Sequence, residues 1–372
     1  MKFMKSEKSE KQPKKPKRLR RPTKVLLAID LIILVLIIAW YFSGFNIAQL
    51  FYHGKTREYW IAAVPEKWNI MPTGVDGMTG AKYTPQETTM EALIYRAYTP
   101  GWKKALPDEY GGMPGPMIHA EVGDTVIVHF KNLDTYYKRP HSMHPHGLHY
   151  TPTNDGAYVY SNQQPGDAVG VGHTYTYTWT AGSDSVGDWI YHDHSVDSVD
   201  NTTLGMYGLI EVTKPGAVAP QKQMVTFFDE MTSESTGLPN EYDTINGHAF
   251  VGNTPTYTAT VGDRIQWIVA AVGSDFHDFH IHGHRWKYDG RDQDLLELGP
   301  AEAKSVWFTE NAPGTWLVHC HVDEHMMQGM SAQYEVTDKN GVNPSSFSQI
   351  NTQQNAQPPM PQMHMDPDGD MD

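Results

Sequence analysis

The chain of 372 residues contains a single cysteine, Cys320. An internal disulfide framework is therefore excluded, and so is any zinc or iron–sulfur site that needs several thiolates. Basic residues are also scarce beyond the amino terminus, because 11 of the 29 Lys and Arg residues lie within residues 1–24. The remaining 18 stand against 41 Asp and Glu residues. A body this acidic argues against a nucleic-acid partner, since phosphate binding needs a basic surface.

The two ends of the chain differ in composition from the rest. The basic segment 1–24 is followed by residues 25–42, whose only charge is Asp30. That length approaches the ~20 residues that cross a bilayer as a helix. We therefore expect a single-pass transmembrane anchor over residues 25–45, with its basic flank in the cytoplasm and the remainder outside the cell membrane. Residues 340–372 are rich in Met, Pro, Gln and Asp, which is typical of a disordered tail.

Between these ends the sequence repeats itself. Four segments recur in the same order: Ala120–Val126 as Ala259–Ile265, His141–Gly147 as His277–Gly283, Gly187–His194 as Gly314–His321, and Gly205–Val212 as Gly329–Val336. This duplication predicts two homologous domains, over residues 55–215 and 220–338. Alternating residue types around Gly-Asp turns, and the period of two in Thr174–Trp179, predict short β-strands. The expected fold is all-β, with a Greek-key sandwich in each domain.

Most of the chain's 19 histidines are clustered, and eight of them form His-x-His pairs: His144 and His146, His192 and His194, His280 and His282, His319 and His321. On a strand, residues two apart face the same side, so each pair aims two imidazoles in one direction, about 6.6 Å apart. That separation suits ligands of two adjacent metal ions. Imidazoles without carboxylates or a second thiolate favour copper over calcium or magnesium.

The residues at odd spacing predict a second kind of site. Cys320 lies between the two histidines of the last pair, so its sulfur should point to the opposite side of the strand. His277 lies three residues before the third pair and should also face away from it. Cys320, His325 and Met330 are spaced five residues apart, so one loop can place all three around a single metal ion. Together with His277 they predict a blue-copper electron-transfer site with Met330 as the weak axial ligand.

These motifs resemble those of the multicopper oxidases. The best match is to the two-domain, small-laccase subfamily, over about residues 115–338. The strings that carry the resemblance are His144-Pro-His146-Gly147, Trp189-Ile-Tyr-His192-Asp-His194, His277-Asp-Phe-His280-Ile-His282-Gly-His284 and His319-Cys320-His321-Val-Asp-Glu-His325, followed by Gly329-Met330.

The resemblance implies two cupredoxin-like domains and four coppers per active unit. By position, the type 2 copper would be held by His144 and His280. One type 3 copper would be held by His146, His192 and His321, and the other by His194, His282 and His319. The type 1 copper would be held by His277, Cys320, His325 and Met330.

The resemblance also places an acid, Asp155, beside the type 2 copper as a proton donor. The alternative reading is that Asp155 and Gly156 simply form a turn, since Asp-Gly is a strong hairpin signal. The first domain carries Asp193 where the second carries Cys320, and Ser198 is the nearest counterpart of His325. We therefore expect no type 1 copper in the first domain, so that electrons enter only through the second.

The expected function is a laccase-like multicopper oxidase. It would take single electrons from a phenol, an aromatic amine or a Cu(I), Fe(II) or Mn(II) ion at the type 1 copper, pass them through Cys320, and reduce O₂ to water at a trinuclear cluster. The resemblance implies a homotrimer in which the first domain of one chain meets the second domain of the next. Two alternatives are a non-catalytic copper-binding or electron-transfer protein, and a copper nitrite reductase-like enzyme, which would keep its type 1 cysteine in the first domain.

Overall fold

A computed structural model of the chain describes Leu31 and residues 53–345. Most of the predicted anchor over residues 25–45, and the greater part of the predicted tail over residues 340–372, lie outside the described residues. No helix within the part of the chain that is described has the length and apolar character needed to span a bilayer.

The first half of the described chain forms two four-stranded sheets. Its strands are β1 (Thr56–Asn69), β2 (Thr89–Tyr98), β3 (Ile118–Glu121), β4 (Thr125–Asn132), β5 (His144–Pro145), β6 (Thr174–Thr180), β7 (Gly187–His192) and β8 (Tyr207–Thr213). One sheet has the order β2-β1-β4-β6 and the other has the order β3-β8-β7-β5. Every second side chain of β4 is buried, so this strand presents one face to the core between the sheets. These two sheets are the first sandwich.

The second half repeats this arrangement with more strands. They are β9 (Lys222–Met231), β10 (Tyr242–Ile245), β11 (Thr256–Thr260), β12 (Arg264–Ala271), β13 (His277–Ile281), β14 (Trp286–Tyr288), β15 (Arg291–Gln293), β16 (Leu295–Leu298), β17 (Ala303–Thr309), β18 (Gly314–Cys320) and β19 (Ser331–Thr337). The sheets have the orders β10-β9-β12-β17 and β11-β19-β18-β13-β16, and β14 pairs with β15. These sheets are the second sandwich.

The strand pairing follows the sequence duplication. β3 pairs parallel with β8 as β11 pairs parallel with β19, and β1 pairs parallel with β4 as β9 pairs parallel with β12. The pairs that carry the histidines are antiparallel in both halves, namely β5 with β7 and β13 with β18. Equivalent histidine motifs therefore occupy equivalent places in the two sandwiches.

Helices in the described residues are short. They are α1 (Pro85–Thr88), α2 (Ser198–Thr203), α3 (Ser233–Thr236) and α4 (Asp323–Met327), with one 3-10 turn at Pro152–Asn154. The prediction of a mainly β fold with little helix is confirmed for this part of the chain.

A buried apolar cluster joins the two sandwiches. Ile190, Tyr207 and Leu209 from the first pack with Phe227 and Ile268 from the second. The rings of Tyr207 and Phe227 are stacked with their centroids 5.0 Å apart. Burial of this much aromatic and aliphatic surface holds β7 and β8 against β9 and β12. The packing therefore fixes where His192, at the end of β7, lies relative to the second sandwich.

Candidate metal centre

Three side chains of the second sandwich converge where β13 begins and β18 ends. His277 begins β13, Cys320 ends β18 and His325 lies in α4, and all three are buried. The Sγ atom of Cys320 lies 3.7 Å from Nδ1 of His277 and 3.6 Å from Nδ1 of His325. The backbone N–H of Asp278 donates a hydrogen bond to the same sulfur at 3.4 Å. One sulfur and two imidazole nitrogens thus face a common point.

Met330 completes the loop around this point. Its side chain is buried, its backbone N–H donates to the carbonyl of His325, and its carbonyl accepts from the N–H of Cys320. Burial raises the pKa of the Cys320 thiol to about 11, so a bound cation would have to displace a proton from the sulfur. One thiolate and two imidazoles, with Met330 held beside them by its backbone, are the donor set that suits copper in an electron-transfer site.

Four histidines of the first sandwich form a second group. β5 and β7 place His144 opposite His192, and Nε2 of His146 lies 3.3 Å from Nε2 of His192. The Nδ1–H groups of His144 and His192 donate to the carbonyls of Asp155 and Asp193, both at 2.8 Å. This leaves the Nε2 atom of each ring free to bind a metal ion.

The second sandwich repeats the pattern. β13 and β18 place His280 opposite His319, and Nε2 of His282 lies 3.2 Å from Nε2 of His319. The Nδ1–H groups of His280 and His319 donate at 2.7 Å to the carbonyls of Asp294 and Cys320. In each sandwich, therefore, hydrogen bonds from Nδ1–H to backbone carbonyls orient two imidazoles.

The spacing of the paired nitrogens fits a metal ion. Two imidazole nitrogens bound at 2.0–2.1 Å to one tetrahedral ion lie about 3.3 Å apart. The observed separations in the two groups are 3.3 Å and 3.2 Å. Burial lowers the pKa of His192 to about 3 and those of His146 and His319 to about 4. These rings are therefore neutral near pH 7, the state that metal binding requires.

The remaining two histidines lie beside these groups. The ring of His194 is 5.3 Å from that of His144, and the ring of His321 is 5.5 Å from that of His280, measured between centroids. Each candidate metal group found in the described residues takes its ligands from one sandwich only. The eight predicted ligands are thus gathered as two sets of four, which we call the first and second half-sites.

Asp155 contacts the first half-site. Its carboxylate Oδ1 lies 3.1 Å from Nδ1 of His144, in addition to the hydrogen bond that its carbonyl accepts. Gly156, the next residue, has a φ of +70°, and a Cβ there would lie 2.3 Å from the carbonyl oxygen of Met143. Asp155 therefore ends the 3-10 turn Pro152–Asn154, not a β-hairpin, and it also touches a candidate ligand, so a turn position and a role at the site are compatible.

The first sandwich has no sulfur ligand at the place equivalent to Cys320. Asp193 lies there, and its carboxylate accepts hydrogen bonds from the Ser142 backbone and the Asn201 side chain. His141, the counterpart of His277, is fully buried, with Nε2 3.1 Å from Asp134 and Nδ1 3.8 Å from Asp193. A carboxylate, Asp193, thus stands where the second sandwich has the Cys320 thiol. The polar groups at this place form hydrogen bonds with one another.

An acidic cavity of about 590 Å³ adjoins the His277–Cys320–His325 site. The carboxylates that line it are those of Asp200, Glu230, Glu234, Glu241, Asp243, Asp275 and Glu324. Glu230 accepts a hydrogen bond from Nε2 of His277 at 2.7 Å, and Asp275 lies 3.7 Å from Nε2 of His325. Two carboxylates of the cavity lining therefore contact the far nitrogens of the two imidazoles.

Two carboxylates of the cavity differ in charge state. Burial, followed by the neighbouring acids with Glu230 first, raises the pKa of Asp243 to about 8. Burial also acts to raise the pKa of Glu230, but the hydrogen bonds from His277 and the Ser274 backbone outweigh it, and this pKa is lowered. Sequence reasoning missed Glu230 and Asp243 as parts of this site, because Glu230 lies 47 residues before His277 and Asp243 lies 82 residues before His325.

Comparison with known proteins agrees with this geometry. Residues 107–217 and residues 218–340 match two successive domains that are both described as multicopper oxidase. The human protein Ferroxidase HEPHL1 is 27% identical over 344 residues, covering 76% of this chain and 29% of that protein. Mouse ceruloplasmin is 30% identical over 348 residues, covering 75% and 31%. The chain thus spans about a third of the length of these relatives.

A solved multicopper oxidase shares the fold, with a TM-score of 0.59, 21% sequence identity, and coverage of 76% of this chain and 89% of that one. The two domain matches together span residues 107–340, which is more than half of the chain. The chain therefore belongs to the multicopper oxidase family.

Proposed function

We propose that this protein is an oxidase that takes electrons one at a time from a metal cation at the His277–Cys320–His325 site and delivers them to O₂. The observation that carries this proposal is the acidic cavity, because its lining residues Glu230 and Asp275 contact the far nitrogens of His277 and His325. Copper, when bound, would supply one-electron redox chemistry at the sulfur site and O₂ reduction at the half-sites.

The protein's own contribution is ligation, orientation and a path between the sites. His277, Cys320, His325 and Met330 would hold the type 1 ion. Cys320 shares a peptide bond with His319 and with His321, whose rings belong to the second half-site. The strand β18 therefore links the two kinds of site through one residue. We propose that electrons follow this link.

Charge favours a cation as the reductant. Seven acidic side chains line one cavity. Those that are ionised near pH 7, Glu230 among them, create a negative potential that concentrates cations beside the electron-entry ligands. Carboxylate oxygens are also suitable ligands for divalent metal ions. The similarity to Ferroxidase HEPHL1 supports Fe(II) as the first candidate within this class.

A second reductant class has an observation in its favour. Phe276, next to the ligand His277, is 74% exposed, and Met327, two residues after His325, is 58% exposed. Exposed apolar side chains beside the site would suit a phenol or aromatic amine, as in a laccase-like oxidase.

Measurement of O₂ uptake by the copper-loaded protein distinguishes these classes. The reductants would be Fe(II), Cu(I), Mn(II), a phenol and an aromatic amine, each at matched concentration. We expect the highest kcat/KM for one of the three ions. A higher value for the phenol or the amine would reject the cation proposal. If none of the five supports O₂ uptake, the protein is a copper-binding or electron-transfer protein without turnover.

The thiolate role of Cys320 is tested separately. In the Cys320→Ser variant, we expect the blue absorption and the O₂ uptake to be lost while copper stays bound to the half-sites. The thiolate is the soft ligand that gives a blue site its colour, and the chain contains no other cysteine. A Cys320→Ser protein that remains blue would reject this assignment. Metal analysis of both proteins gives the copper count.

We further propose that the two half-sites are completed between subunits, in a homotrimer. The separation of the ligands into two sets of four supports this assembly, because a trinuclear cluster needs ligands from both sets. An extracytoplasmic position on the cell membrane, with the anchor over residues 25–45, remains a proposal that rests on the sequence alone. Asp155 is proposed to supply protons to O₂ reduction beside His144.

A further inference from the structure

One buried carboxylate, Glu310, joins three parts of the second sandwich. Its side chain accepts hydrogen bonds from the backbone N–H groups of Asn311 and Ala312, both at 2.8 Å, and from the hydroxyl of Tyr334. Nε2 of His284 lies 3.2 Å from both carboxylate oxygens. Glu310 is 1% exposed, so none of these contacts is shared with bulk water. Such a well-satisfied buried acid is costly to disturb.

Two routes run from Glu310 to the second half-site. In the first, Nδ1 of His284 donates to the carbonyl of His282 at 2.8 Å. In the second, the turn that Glu310 holds presents the Ala312 carbonyl to the indole N–H of Trp316 at 2.9 Å. The Trp316 ring packs so closely on Gly283 that a Cβ there would lie 2.7 Å from it. Both routes end on the three residues 282–284.

The same carboxylate also connects the strands that carry the ligands. Tyr334 on β19 lies opposite Trp316 on β18 in the strand register. β18 carries His319, whose Nε2 lies 3.2 Å from Nε2 of His282. Glu310 thus contacts neither His282 nor His319 directly. It is linked to His282 through His284, and to the strand of His319 through Tyr334.

The first sandwich contains a counterpart that lacks this connectivity. His149 lies three residues after the first His-x-His pair, whereas His284 lies two residues after the third, and Nε2 of His149 lies 2.7 Å from Oδ1 of Asp184. The side chains of His149 and Asp184 are 56% and 72% exposed. An exposed pair of this kind contributes little to rigidity. Burial and multiple hydrogen bonds therefore distinguish the Glu310 arrangement from its counterpart.

We infer that Glu310 is a positioning residue that sets the separation of His282 and His319 and hence the copper affinity of the second half-site. This inference rests on the proposed function, in which that half-site binds copper. Partners of this kind behind metal ligands typically change metal affinity by about 10- to 100-fold when they are removed. On β18, Cys320 points to the side opposite to His319, so the type 1 site should be affected much less.

The test compares copper retention in the full-length, copper-loaded protein against a competing chelator. The blue signal is the visible absorption of the type 1 Cu(II), and the non-blue signal is the total copper from metal analysis of the same samples less the blue copper. For Glu310→Ala we expect about 10-fold weaker retention of the non-blue copper, with an unchanged blue signal. Glu310→Gln, which keeps one acceptor oxygen for the turn, should give a smaller change in the same direction. The matched control Asp184→Ala should behave as wild type.

The inference is overturned if the non-blue signal of Glu310→Ala matches wild type, or if the blue signal weakens equally. An equal effect of Asp184→Ala would also overturn it. If Glu310→Ala does not fold, Glu310→Gln decides by the same comparison. A wild-type protein that binds no non-blue copper would instead reject the proposed function, so the two failures are distinguishable.

Discussion

Asp155 shows how one residue can satisfy a structural and a chemical requirement together. Its backbone ends the 3-10 turn Pro152–Asn154, and its carbonyl and carboxylate both lie within 3.1 Å of Nδ1 of His144. Asn would suit the turn equally well, because both residues favour such positions. Asn cannot donate and recover a proton as a carboxylic acid does. Substitution by Asn therefore separates the two roles.

For Asp155→Asn, we expect normal copper loading and normal reduction of the type 1 site. Re-oxidation by O₂ should slow by about 10²-fold, since general acids typically contribute 10²- to 10⁴-fold, and the pH optimum of turnover should shift. Stopped-flow measurement of the fully reduced protein mixed with O₂ gives the rate across the pH range. Wild-type rates at every pH would assign Asp155 to the turn alone.

Asp243 should make the stability of the copper-free protein depend on pH. Its carboxyl has a pKa of 3.8 in the unfolded chain, and burial followed by the neighbouring carboxylates raises it to about 8 in the folded state. The folded state therefore binds one more proton than the unfolded state between these values. Stability falls as pH rises through that window, by at most about 1.4 kcal/mol per pH unit.

Asp243→Asn removes this proton linkage. We expect the variant to gain thermal stability relative to wild type as pH rises from about 5 to about 8. If Asp243 also helps bind a cation substrate, the variant should show a raised KM for Fe(II) and an unchanged KM for a phenol. If the difference in Tm between Asp243→Asn and wild type stayed constant across this pH range, that result would contradict the raised pKa of Asp243.

At the scale of the elements, alternation along strands accounts for much of the site. Because neighbours on β18 point to opposite sides, Cys320 separates from His319 and His321, and the structure places it with His277 and His325. Glu230 and Asp243 could not be found in this way. They lie on β9 and β10, far from the ligands in sequence, and only the pairing of β9 with β12 brings Glu230 to the site.

The counterpart of the sulfur site in the first sandwich should act as a structural element. Burial acts to lower the pKa of His141, but hydrogen bonds with Asp134 and Asp193 outweigh it and raise this pKa. Burial likewise opposes ionisation of Asp134, but the hydrogen bond to His141 and those from backbone N–H groups lower its pKa. The pair therefore stabilises the fold above about pH 4 and below about pH 6.5, and the His141 contribution is lost as pH rises through its raised pKa.

Removal of His141 tests this. His141→Ala leaves Asp134 buried without its partner, which should cost about 3–5 kcal/mol near pH 6. Denaturant unfolding of the copper-free protein measures the loss, which should shrink at higher pH. The control is His149→Ala, where the partner acid is exposed and no measurable change is expected. Equal effects of the two variants would show that the buried pair has no special role.

At the scale of the whole molecule, the sequence duplication predicted two similar β arrangements, and the strand pairing repeats accordingly. The relative placement of the two sandwiches could not be predicted from the sequence pattern of either duplicated half, residues 116–213 or 222–337. It depends on the packing of Tyr207 against Phe227 and of their apolar neighbours, which carry no motif. That packing leaves each half-site with ligands from one sandwich, and it is the physical reason to expect completion by another copy.

Complementation between inactive chains tests this assembly. His144→Ala damages the first half-site and leaves the second intact, whereas His319→Ala does the reverse. In a ring where unlike half-sites of neighbouring chains meet, random mixing should restore roughly one quarter of the junctions. O₂ uptake by co-expressed, co-purified chains measures the recovery. The matched control is a mixture of His144→Ala and His192→Ala chains, in which every first half-site is damaged and no junction can recover. Mixed oligomers of His144→Ala and His319→Ala that stay as inactive as this control would mean that each cluster forms within one chain.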